Sequence, residues 1–208
     1  MNRQSARLSL SLSVLAISAT NAFAHHVMDG RTAATFGEGI LSGLGHPIIG
    51  LDHFAAVVAV GCLAAVHPAA VALVVAFVVA MIAGVALHLH GAIVPGAEIL
   101  VALTVIALGA LMLWRRKMST GAALVLFALV GLVHGYALGE SIYGAEPTPL
   151  YGYLLGLALI QSAIALAAMK IARSLAERSA DLSPLRLVGA GIAGIGLAVL
   201  VQQVVPAA

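Results

Sequence analysis

The sequence predicts an all-α polytopic membrane protein, a compact six-helix transmembrane bundle behind a cleaved signal peptide. Three observations carry this. First, 62% of the 208 residues are hydrophobic and 9% are charged, whereas a soluble domain carries about 25% charged residues. The mean hydropathy of +1.11 agrees. Most of such a surface cannot face water, which argues against a cytosolic enzyme, a nucleic-acid binder or a disordered chain. Second, the charges are confined to a few points with long uncharged runs between them. Third, the basic residues gather on one side of the resulting topology.

Met1–Ala24 reads as the signal peptide. Arg3 and Arg7 form its positive start, Leu8–Ile17 its short apolar stretch, and Ala22-Phe23-Ala24 its cleavage pattern. The mature domain, residues 25–208, then begins with His25 and His26. A bacterial inner-membrane protein with both mature termini in the periplasm is expected.

No Asp, Glu, Lys or Arg occurs between Asp52 and Glu98, a gap of 45 residues. One helix needs about 20 residues to cross the hydrocarbon core, so this gap holds two. His67-Pro68 breaks it into Ile48–Val66 and Ala69–Leu89. Ile99–Trp114, Met118–Gly139, Pro147–Met169 and Leu187–Ala208 each hold one more. The run Ile99–Trp114 is short and spans only with Glu98 at or just inside the membrane edge. Of the ten Lys and Arg, two lie in the signal peptide and Arg31 lies outside. The other seven (Arg115, Arg116, Lys117, Lys170, Arg173, Arg178 and Arg186) fall at the loops after helices three and five. That satisfies the positive-inside rule. Gly131, Gly135 and Gly139 in helix four, and Gly152 and Gly156 in helix five, recur every four residues. Small residues at that spacing let helix backbones approach closely.

Ionisable groups inside a membrane are costly and usually functional. Here most of them collect at one leaflet: His46, Asp52 and His53 in helix one, His88 and His90 in helix two, Glu98 opening helix three, and His134 and Glu140 in helix four. Imidazole with carboxylate suits Ni2+, Co2+ or Zn2+; calcium and magnesium want oxygen alone, and copper(I) wants sulfur. Cys62 is the single cysteine and permits no internal disulfide. His46 and His53 are seven residues apart, about 10.5 Å on a straight helix, which is too far for one ion. Pro47, Gly43, Gly45 and Gly50 make a straight helix unfavourable there, and a bend brings the pair together. Asp52 serves as ligand or as an acceptor that orients an imidazole, against a plain buried Asp–His pair at a helix start. His134 and Glu140 are offset by about 240° and share a face only if the helix loosens at Gly135 or Gly139. His88 and His90 project to nearly opposite sides, so at most one faces the bundle. His25, His26 and the new amine form a square-planar chelate for Ni2+ or Cu2+, or else a plain tail.

His46-Pro47-x-x-Gly50-x-Asp52-His53, with Val60-Gly61 following, resembles the signature of the HupE/UreJ family. His134-Gly135-x-Ala137-x-Gly139-Glu140 is similar to that family's second signature. The resemblance implies a secondary permease for nickel, or cobalt in some members, serving hydrogenase or urease maturation. It carries the motif roles onto His46, Asp52 and His53 and onto His134 and Glu140. Two departures stand out: Val57 where the family often has methionine, and Gln161 where it often has a histidine in helix five. Gln161 can supply a carbonyl oxygen or a hydrogen bond.

The expected function is uptake of a divalent metal ion from the periplasm, captured at His25 and His26 and partly dehydrated at His46, Asp52, His53 and His134. No P-loop is present, so no nucleotide partner is expected; the bilayer and the ion are the partners. The rivals are an intramembrane metal- or haem-binding protein, acting as enzyme or sensor without transport. An H-E-x-x-H motif and a G-x-S-x-G motif are both absent.

Overall fold

A computed structural model describes residues 32–114, 118–178 and 183–205. The predicted signal peptide, the His25-His26 start and the bases Arg115, Arg116 and Lys117 lie outside the described residues. Within them the chain is all helix: α1 (Phe36–Ile49), α2 (Leu51–Ala65), α3 (Ala70–Leu89), α4 (Ala97–Trp114), α5 (Thr120–Leu138), a 3-10 turn (Gly139–Ile142), α6 (Pro147–Arg178) and α7 (Ser183–Val204). The helices from α3 to α7 are each long and apolar enough to cross a membrane. Helices α1 and α2 are each too short to cross alone; they qualify as a pair bent by 81°.

The expected first span, Ile48–Val66, is therefore the second arm of a broken element. The first arm starts with a capping box. The Thr35 hydroxyl accepts from the Glu38 amide at 3.2 Å, and the Glu38 carboxylate accepts from the Thr35 amide at 3.1 Å. The arm ends at Gly50, whose extended backbone (φ −74, ψ 101) turns the chain. Pro47 sits in the last turn and lacks an amide to donate. The break leaves little unsatisfied: the Gly50 amide donates to the His46 carbonyl, and the Phe54 amide to the Gly50 carbonyl.

Two further boundaries differ from expectation. Helix α6 continues past Met169 to Arg178, and α7 begins at Ser183 rather than Leu187. Lys170, Arg173, Arg178 and Arg186 thus ride on helices and not in a loop. At the other end of the bundle, α4 includes Glu98 in its first turn, as its short apolar run required.

Glycine makes the helix seams. A Cβ at Gly131 would strike the Phe77 carbonyl, and one at Gly135 the Met81 carbonyl, so α5 lies backbone to backbone on α3. Gly39 and Gly43 meet Pro149, Tyr153 and Leu157, while Gly152 and Gly156 meet Phe36 and Ile40, which joins α1 to α6. Gly109, Gly189 and Gly196 do the same for α4 and α7. The registers ascend together in the first two seams and oppose each other in the third. For the α3–α5 and α4–α7 seams, those directions are the ones that up-and-down alternation from α3 to α7 gives.

Helix α2 is the central element. It contacts α1, α3, α4, α6 and α7, and most of its residues are buried, from Asp52 and His53 down to Ala65. Apolar side chains such as Val71, Val79, Leu103, Val125 and Leu159 face outward, as helices in hydrocarbon require. The α3–α4 connection turns through Gly91 and Gly96, both at positive φ. The Tyr136 hydroxyl pins it by donating to the Ala92 carbonyl at 2.8 Å and accepting from the Val94 amide at 3.1 Å.

Candidate functional site

The bend at Gly50 places its neighbours. It turns α2 away from α1 so that His46, in the last turn of α1, and His53, in the first turns of α2, approach. Their ring centroids are 6.3 Å apart. A side chain at the corner would press on the site, because a Cβ there would sit 2.9 Å from the His53 ring and 3.3 Å from an Asp52 oxygen. Asp52 occupies the first turn of α2, and its Oδ1 accepts from the His53 amide at 2.8 Å. A carboxylate offsets the positive end of a helix at that position, and the carbonyl end of α1 points at the same corner. The bend thus gathers one carboxylate and one carbonyl end against one positive helix end.

From α5, His134 completes a row of three imidazoles. Its ring lies 5.0 Å from that of His53, and the two Nδ1 atoms share a hydrogen bond at 2.9 Å. Helices α2 and α5 do not pack against each other over any length, so these side chains bridge the space between them. On its far side, His134 Nε2 meets the Thr104 hydroxyl of α4 at 2.9 Å. His46, Asp52, His53 and His134 are all buried. Among the described residues no group of three or more His, Cys, Asp or Glu side chains is placed so that it could hold a metal ion.

The spacing of the inner pair has a chemical meaning. Two nitrogen ligands about 2.0–2.1 Å from one ion stand about 2.9 Å apart at a right angle and about 3.4 Å apart at the tetrahedral angle. The His53 and His134 Nδ1 atoms stand 2.9 Å apart, an ordinary hydrogen-bond distance close to the right-angle value, with the proton on the line between them and the place for an ion off that line.

The other sequence candidates lie elsewhere. Glu140 is exposed on the 3-10 turn; α5 loosens at Gly139, but the offset from His134 keeps the two apart. Glu98 is half-buried in the first turn of α4. His88 rests among aromatic rings, with Tyr136 at 4.8 Å and Tyr143 at 5.7 Å. His90 is exposed. Gln161 is buried on α6, and neither amide atom has a hydrogen-bond partner. It sits one turn beyond Leu157, which touches Gly43 of α1, and one turn before Ala165, which touches Gly61 of α2. Its register is therefore that of the bend. His46, Asp52 and His53 stand in the middle of the bent pair, where the sequence places them at the outer end of a span, because α1 precedes them.

Thr104 was missed by sequence reasoning. A threonine in an apolar helix ordinarily bonds its own backbone, and nothing in its spacing marks it.

The HupE / UreJ protein family matches residues 12–199 of this chain. Protein HupE of Rhizobium leguminosarum bv. viciae is 38% identical over 104 residues, 49% of this chain and 54% of the relative. The chain thus spans about half the length of the curated relative it matches. No solved structure matches. With a family match over nearly its whole length, this multi-pass chain belongs to the HupE / UreJ family.

Proposed function

We propose that this protein is a secondary permease that carries a divalent transition-metal ion, Ni2+ with Co2+ as a second cargo, inward across a bacterial inner membrane. The observation that carries this is the row of three buried imidazoles at the break of a broken span. Carriers commonly bind their cargo where a helix is interrupted, because helix ends and freed backbone groups there face the ion. A bare divalent ion in hydrocarbon is prohibitive, and a buried carboxylate beside imidazoles offsets that cost. Family membership supports the same reading through the role that the resemblance implies.

In this proposal His53 and His134 grip the ion once the His53 proton has shifted from Nδ1 to Nε2, which frees both Nδ1 lone pairs, and His46 and Asp52 complete the set. Gln161 faces the ion from α6 with an uncharged carbonyl that binds without trapping. His25, His26, Glu98 and Glu140 remain candidates for outer capture. The membrane potential supplies about 2.3 kcal/mol per charge per 100 mV. The test is uptake of radiolabelled nickel by cells expressing wild type, His53→Ala and His134→Ala at equal membrane levels. Loss in both variants is expected. Uptake at the wild-type level in both would sink the site, and no divalent-metal uptake by wild type would favour a sensor.

A further inference from the structure

Resting on the site just proposed, we infer that Thr104 is a positioning residue that fixes which nitrogen of His134 carries the electron pair offered to the cation. The hydroxyl of Thr104 has one hydrogen. It is donated to the Val101 carbonyl at 2.7 Å, and a carbonyl can only accept. The contact with His134 Nε2 at 2.9 Å must therefore run the other way, with Nε2–H donating to the hydroxyl oxygen. A neutral imidazole carries one N–H. His134 Nδ1 is left with a lone pair, and that nitrogen faces His53, whose Nδ1–H donates to it at 2.9 Å.

The chain of donors is directional: His53 to His134, His134 to Thr104, Thr104 to the backbone of α4. Its anchor is a main-chain carbonyl within the α4 helix, and reversing the chain would sacrifice the Thr104 bond to that carbonyl. Both ring nitrogens of His134 are engaged, which also holds the ring in place. The lone pair that now accepts from His53 is the one a cation would take. Without the hydroxyl, His134 is free to carry its proton on Nδ1, and its lone pair then points away from His53 toward α4. Hydrogen-bond partners on the far nitrogen of a ligating histidine set its tautomer and orientation in this way.

The test uses the full-length protein in lipid, with histidine ring nitrogens labelled and no metal added. Nitrogen chemical shifts read the tautomer of His134 directly. Wild type and Thr104→Ser are expected to show Nε2–H, and Thr104→Val, which keeps the shape and removes the hydroxyl, is expected to lose that single tautomer. In nickel uptake, Thr104→Val is expected to raise KM about 10- to 100-fold, with Thr104→Ser within about threefold of wild type. A wild-type His134 protonated on Nδ1, or a Thr104→Val protein with wild-type KM, overturns the inference. The tautomer is read without transport, so a wild type that moves no metal would remove the permease proposal and leave this one standing or falling on its own spectrum.

Discussion

Histidine occurs in two settings in this molecule. At the bend between α1 and α2, His46, His53 and His134 are buried, come from three helices and touch one another. At the ends of the helices, His67 accepts from the Ala69 amide, His88 lies between tyrosine rings and His90 is exposed. In the second group His67 is held by its local chain and His88 by aromatic neighbours, while His90 lies at the surface. The first group has no local reason to exist. Burying three imidazoles among apolar helices costs stability, and only their mutual arrangement gives them a role. Imidazole count is therefore a poor guide to a site, and convergence from separate helices is a better one.

The comparison can be broken in several ways. The largest expected effect is from Gly135→Leu. Its side chain would collide with the Met81 backbone, which cannot move aside, and α5 carries both His134 and the Gly139 contact to His88. A loss of at least about 3 kcal/mol is expected, read as missing folded protein in the membrane. His53→Ala and His134→Ala come next, each lowering nickel uptake about 100-fold with the protein still inserted. Gly50→Ala presses on the His53 ring without removing a donor, and about a tenfold loss of uptake is expected. Gln161→Leu replaces an amide with no partner by an apolar group of similar size. It should raise the thermal midpoint while lowering uptake about threefold, since an unsatisfied buried polar group costs about 1–3 kcal/mol. The smallest effect is at the helix ends, where His88→Ala should leave uptake within about twofold. A His88 variant as damaging as His134→Ala would erase the distinction between the two settings.

How much was legible follows from what each residue does alone. Helices α2 to α7 announce themselves because a bilayer demands long apolar runs, whatever their neighbours. Helix α1 was hidden. Its small residues Gly37, Gly39, Ser42, Gly43 and Gly45 with Glu38 dilute the apolar signal, and the seam with α6 that explains Gly39 and Gly43 is not local. His53 and His134 were visible as imidazoles in apolar sequence, and Pro47 with Gly50 signalled a bend. Glu140 looked similar on the page, but its six-residue offset from His134 turns it outward.

Composition and charge spacing alone determined that the chain is helical, crosses a membrane several times and carries imidazole inside it. These are one-residue properties, set by transfer from water to hydrocarbon. Tertiary structure decided that α1 and α2 meet at 81°, that α2 sits at the centre, and that His134 stands between His53 and Thr104. Those depend on the angle of a single corner and on glycine seams between helices far apart in the chain. A distance of 2.9 Å between nitrogens 81 residues apart is a property of packing, which no local pattern encodes.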